Sequence, residues 1–210
     1  MKPNWYDYLH HGSNAIVMKP DLSRSREDID FGVGFYLTKD VTMAKKWAST
    51  KAVSILNTYR LNIENLNIYT FKLDREWLEY VRACRKYGDN YDEIIKKYEG
   101  YDVLIGATAD DKLFDTVQQY LDGEITSQTA IKYLNVAGFG EQIVLKTQKA
   151  VDALTFSYSK EMTGAEKQHY IQVSRQDRSD ALNKLNQFKK QEIMQKDNQE
   201  NRNNLEGTDG

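Results

Sequence analysis

Two short stretches of the 210-residue chain hold residues that could do chemistry. One is "LHHGSN", starting at Leu9; the other is "DFGVGFYLTKD", starting at Asp30. A histidine both donates and accepts hydrogen bonds and titrates near neutral pH, so it can hold a sugar hydroxyl or move a proton. A tyrosine offers a flat ring and a phenol, and glycines let the backbone approach a ligand closely. Gly32-Val33-Gly34 invites a dinucleotide-fingerprint reading, which fails. The third glycine is missing, and the pair precedes a strand where the fingerprint links strand to helix. Taken alone the glycines form a turn. Adjacent His10 and His11 project differently and are poorly placed to share a metal, so no metal is expected.

The elements that must position these residues are short. "GFYLT" reads as a strand, and "DVTMAKKWASTKA" as the next helix, with Asp40 or Thr42 as N-cap and Ala44, Trp47 and Ala48 on one stripe. "LNIYTFKL" alternates with period two, setting Tyr69, Phe71 and Leu73 opposite Ile68, Thr70 and Lys72. "DREWLEYVRACRKYG" predicts a helix with Trp77, Leu78, Val81 and Cys84 inward and Gly88 as its stop. "YDVLIGATA" predicts a buried strand, and two short helices with glycine stops follow. Asp110 and Asp111 would cap the first of these or touch a substrate. "EQIVLKTQKAVDALTFSY" supplies the last one or two strands. Strands and helices mix without strict alternation, so the fold class is α+β rather than a doubly wound sheet.

Charge excludes some functions. Twenty-nine basic and thirty-one acidic side chains leave a net charge of -2, which gives no drive toward non-specific binding of nucleic acid or membrane. The single cysteine, Cys84, rules out an internal disulfide and reads as a buried structural thiol. The start of the chain lacks the apolar run of a signal peptide and no stretch reaches transmembrane length, so a cytoplasmic location is expected. Mean hydropathy is low, at -0.71, because residues 158–210 are rich in Gln, Asn, Lys, Asp and Glu. The expected division is therefore a folded domain over 1–157 and a polar tail over 158–210, partly helical and disordered from about Asp197.

Together the two motifs resemble the NAD-binding core of ADP-ribosyltransferases, in the poly(ADP-ribose) polymerase and diphtheria-toxin-like branch, defined by a His, a Tyr and a third residue, usually Glu. The likeness runs from about Leu9 to Leu154. The chain also resembles a family of small bacterial proteins with "HGS", "DFGxGFYLT" and "A-x-x-WA" signatures. The resemblance implies a split β-sandwich with flanking helices, built from two small antiparallel sheets that clamp NAD, and it implies roles for named residues. His11 would bond a ribose hydroxyl, the backbone of Gly12 would grip the nicotinamide amide, and Ser13 would support their turn. Gly34 would let the strand approach the ligand, and Tyr36 would stack on the nicotinamide. Trp47, eleven residues past Tyr36, would form the opposite wall. Arg24, with Arg26, would hold the diphosphate or the acceptor. Where the polymerases place a serine this chain has Ala44, with Thr38 and Ser49 as substitutes.

The third catalytic position is either Glu141, by the register of the polymerases, or Gln142, by that of the small bacterial family. Neighbouring strand side chains face opposite ways, so only one of them enters a pocket. The implied activity is cleavage of the nicotinamide-ribose bond, with NAD as substrate, and transfer of ADP-ribose to a protein or nucleic-acid acceptor. A toxin-like role, with an antitoxin or inhibitor bound through the tail, belongs to the same kinship. The alternatives are an NAD glycohydrolase, a non-catalytic NAD- or ADP-ribose-binding module, and an interaction protein that binds no NAD.

Overall fold

The computed structural model describes residues 5–86, 89–109 and 114–206. Two β-sheets face each other across an apolar layer. The first has the order β1 (Trp5–Ser13), β3 (Ile55–Asn62), β7 (Leu154–Glu161), all antiparallel. The second has the order β2 (Phe35–Leu37), β6 (Glu141–Leu145), β5 (Val103–Ala107), β4 (Ile68–Thr70). Leu9, Tyr59 and Leu61 from the first sheet meet Leu37, Val103, Ile105, Ile143 and Leu145 from the second, all buried. The fold is α+β, as composition and pattern predict.

One pair departs from the antiparallel expectation: β4 runs parallel to β5. Between them lie α2 (Arg75–Cys84) and α3 (Tyr91–Lys96), and such a helical crossover returns the chain in its original direction. The helix α2 starts where Asp74 accepts from the backbone N–H of Glu76 and Trp77. Its inward stripe of Trp77, Leu78, Val81 and Cys84 is buried as its spacing predicts. The outer face of the second sheet, with Leu104 and Val144, packs on this stripe and on Ala130 and Leu134 of α5 (Ser127–Ala137). Gly138 closes α5 at φ 73°, where a side chain would be strained. Gly88 and the Asp110–Asp111 pair lie outside the described residues.

Three elements escaped the sequence reading. "LHHGS" is the end of strand β1, not a free turn, and β3, which carries no strand pattern in the sequence, is the central strand of the first sheet. The short helix α6 (Gln148–Asp152) separates β6 from β7 where the sequence pattern predicts strand. The boundary expected at 157 falls inside β7, which runs to Glu161 before α7 (Gly164–Glu206) begins. At 1.5 Å per residue these 43 helical residues span roughly 64 Å, longer than a domain of this size is wide. The first half of α7 docks on the body. Ala181 and Leu185 are buried in the core, Lys46 pairs with Asp177, and Phe188 meets Tyr133 edge-on at 6.4 Å.

Candidate functional site

The two motifs meet where the sheets split. His10 exchanges both backbone hydrogen bonds with Thr38, at 2.8 and 3.0 Å, and among the described residues this bridge is the backbone pairing that links β1 to β2. An antiparallel ladder repeats every two residues, so Gly12 turns its N–H and C=O to the same side as His10 does. There a side chain takes over from the main chain. The His11 Nδ1–H donates to the carbonyl of Tyr36 at 2.8 Å and wedges the strands apart.

His11 lies on the face of β1 that carries Leu9, between the sheets, with its ring 4.4 Å from that of Phe35. Burial lowers its pKa, against the raising effect of the Tyr36 bond, and the positive charge of Lys51 lowers it further. At neutral pH the ring is thus uncharged, with Nδ1 committed to Tyr36 and Nε2 left as an acceptor that a hydroxyl can use. His10 faces the other way, 3.0 Å from the Thr58 hydroxyl, and burial lowers its pKa too. Ser13 shapes the exit of β1, donating to Ala15 O at 2.6 Å and accepting from Asn57.

The helix α1 (Val41–Ser49) starts at its Asp40 cap and lies directly on Gly12. A Cβ there would stand 2.0 Å from the carbonyl oxygen of Ala44 and 2.6 Å from the nitrogen of Ala48. Gly12 is therefore required by the close approach of α1, which carries Trp47 half-buried on its flank. Gly34 plays a similar part at β2, where a Cβ would meet the Val144 side chain at 2.4 Å. Thr38 and Ser49 are committed elsewhere: Thr38 donates to Glu141 O and Ser49 to Lys46 O.

Tyr36 points to the opposite face of the second sheet. Its hydroxyl donates to Gly32 O at 2.7 Å and accepts from Phe31 N–H at 3.0 Å, and burial pushes its pKa up. The register pairs Tyr36 with Val144, so Gln142 shares its face and Glu141 does not. Gln142 is 2% exposed, whereas Glu141 lies exposed at the start of β6. Arg24 stands apart on a 3-10 turn, solvent-exposed and 3.6 Å from Asp21. An open depression lined by Lys19, Pro20, Asp21, Gln148 and Asp152 lies beside that turn, away from His11 and Tyr36.

Three residues without an assigned role complete the site. Asp30 is buried and bonded to Arg85 at 2.6 Å, to Ala109 N–H at 2.7 Å and to the Gln142 amide at 3.4 Å. Lys146 donates to the carbonyls of Phe31 and Val33, closing the same loop from below, and burial lowers its pKa. The acidic signal was visible, since Asp30 opens "DFGVG". Arg85 and Lys146 carried none, because exposed basic residues of the same kind are common along this chain.

Among the described residues no three His, Cys, Asp or Glu side chains converge as a metal site would require. Nor is any described helix long and apolar enough to cross a membrane. A family model described as "Protein of unknown function (DUF3990)" matches residues 8–156, which take in the whole second sheet, β3, most of β1 and the start of β7. No curated protein and no solved structure matches the chain.

Proposed function

The chain belongs to the DUF3990 family, whose description assigns no activity, and from that premise we propose that it is an ADP-ribosyltransferase that cleaves NAD at the nicotinamide-ribose bond. The likeness of its motifs to that fold suggests the reading, and the two facing sheets are compatible with a split β-sandwich. One observation carries it: the "HGS" and "GFYLT" stretches, far apart in sequence, meet at the split between β1 and β2, where His11 bonds the Tyr36 carbonyl.

In this account the Gly12 main chain meets the carboxamide of nicotinamide. Tyr36 and Trp47 line the ring, and the neutral His11 accepts from a ribose hydroxyl through Nε2. Cleavage breaks the bond from ribose to nicotinamide and leaves oxocarbenium character on the sugar, as in glycoside hydrolysis. A nucleophile on a protein or nucleic-acid acceptor then takes the ADP-ribose, and water in its place yields hydrolysis. Arg24, exposed on its own turn beside Asp21, would meet a diphosphate or an acceptor only at the outer end of the ligand. An antitoxin-like partner at the tail would address α7 beyond its docked half.

The position of Gln142 favours a second reading. It stands on the Tyr36 face where a carboxylate would stabilise positive charge better, and a neutral amide orients a sugar with less electrostatic gain. A non-catalytic NAD- or ADP-ribose-binding module would need only that. Incubating the protein with NAD, assaying free nicotinamide and measuring NAD binding by calorimetry separates the two. Transferase chemistry predicts release that Tyr36→Ala abolishes. Binding without release supports the module, and neither binding nor release refutes both.

A further inference from the structure

The amide of Gln142 has a defined orientation. Its nitrogen carries two hydrogens, and two protein atoms face it: Ala107 O at 3.1 Å and Asp30 Oδ2 at 3.4 Å. Both are acceptors. Turning the amide over would set its oxygen against a carbonyl and a carboxylate, three acceptors with no proton between them. Nε2 must therefore face Asp30 and Ala107, and Oε1 is the end left for a ligand.

What makes this choice firm is how tightly the Asp30 carboxylate is held. Only 8% of its side chain is exposed, yet it receives the Arg85 guanidinium at 2.6 Å and the backbone N–H of Ala109 at 2.7 Å. Two strong donors, one on each oxygen of the buried carboxylate, fix its position. Ala107 O is held as well, because Trp77 Nε1–H donates to it at 3.1 Å. The loop around Asp30 is tied down by the Tyr36 hydroxyl, which bonds Gly32 O and Phe31 N–H. Tyr36 and Gln142 thus brace one segment from the same face of the sheet.

We propose that Asp30, held by Arg85, is a positioning residue that sets the Gln142 amide so that Oε1 accepts a hydrogen bond from a ribose hydroxyl of the substrate. The inference rests on the NAD reading above and adds a specificity rule to it. The site selects a ligand that donates at that position, so a ribose lacking the hydroxyl loses one bond.

The test compares NAD with its analogue lacking the 2′-hydroxyl on the nicotinamide-side ribose, by calorimetry, on the wild type and on Asp30→Asn. An asparagine cannot serve Arg85, Ala109 and Gln142 at once, so it frees the amide to turn over. The wild type should prefer NAD by about tenfold, the worth of one hydrogen bond. Asp30→Asn should bring that preference close to one while keeping its affinity for the analogue. Gln142→Met should do the same, and the double variant should lose nothing further.

A purely structural role for Asp30 would weaken both ligands equally, and that outcome overturns the inference while sparing the NAD reading. Equal binding of the two ligands by the wild type overturns it as well. Failure of the wild type to bind either ligand overturns the inference and the NAD reading together. Where Asp30→Asn does not fold, Arg85→Lys provides the comparison, since it keeps the charge but not the guanidinium geometry. Its preference should then fall below that of the wild type, and an undiminished preference overturns the inference.

Discussion

Replacing Gly12 with alanine tests how closely α1 is seated on the candidate site. The backbone of Gly12 is not among the positive-φ positions, so alanine carries no conformational penalty there and any effect must come from contact. The new methyl carbon would stand 2.0 Å from Ala44 O and 2.6 Å from Ala48 N, where real contacts need at least 3.0 Å. Both neighbours are main chain of one helix, so no flexible side chain can move aside and α1 must retreat by about 1 Å. Overpacking of this kind costs about 1–3 kcal/mol, and rigid backbone on the far side puts the expectation at about 2–3 kcal/mol. For a domain of this length that lowers the melting temperature by roughly 4–12 °C. Thermal unfolding followed by circular dichroism reads it directly, with Gly164→Ala as control because nothing lies within 4 Å of that position. Hydrogen exchange should show faster exchange of α1 amides than in the wild type. If Gly12→Ala melts within 1 °C of the wild type with unchanged exchange, the close seating of α1 on β1 is wrong.

The Tyr36→Phe variant removes the bonds to Gly32 O and Phe31 N–H and leaves that N–H without its partner. Denaturant titration should show a loss of about 1–3 kcal/mol, and an unchanged midpoint would contradict the bonding. His10 and His11 have pKa values lowered by burial from an ordinary value near 6.5, so below that pH the unfolded chain binds more protons than the folded one. Stability should therefore be full above about pH 6.5, fall as pH drops below it, and level off once the folded-state values are passed. A profile flat between pH 5 and 7 would refute this. Burial pushes the Cys84 thiol up to about 11. At pH 8 iodoacetamide should modify the folded protein at least about a hundredfold more slowly than the urea-unfolded chain, and similar rates would mean the thiol is open.

The helices with strong stripes were legible in sequence because a 3.6-residue period and a cap fall together. Asp74, Trp77, Leu78, Val81 and Cys84 describe α2 almost completely. The buried strand β5 was equally plain, since "VLIGA" is apolar on both faces. β3 was not, because "ILNTYRLN" puts Asn57 and Thr58 at 0% exposure, where a pattern reading expects apolar residues. Those two are buried with partners, Asn57 on Ser13 and Ala15 and Thr58 on His10, and long-range hydrogen bonds leave no trace in local periodicity. The parallel pairing of β4 was hidden for a similar reason: strand direction is set by the helices between, not by the strand's own residues.

At the site, the family resemblance brought His11, Gly12 and Tyr36 into one pocket, although "LHHGS" reads as a turn and forms the end of β1. It could not choose between Glu141 and Gln142, which differ by one step in a period of two. The pairing of Tyr36 with Val144 puts Gln142 on the Tyr36 face and Glu141 on the other, and no local signal in "EQIV" announces it. Asp30 was hidden in plain view inside a quoted motif, because its partner Arg85 comes from another helix. The polar tail, expected to be partly helical, shows a different limit. Its composition does not announce that Ala181 and Leu185 are buried against the core, where they help dock the first half of α7.

Nicotinamide release from NAD, compared between Gln142→Ala and Glu141→Ala, tests the central claim most directly. The account predicts that the wild type releases nicotinamide, that Gln142→Ala reduces the rate at least tenfold, and that Glu141→Ala, altered at an exposed position on the other face, stays within about twofold. Release that depends on Glu141 and not on Gln142, or no release with or without either residue, would contradict it.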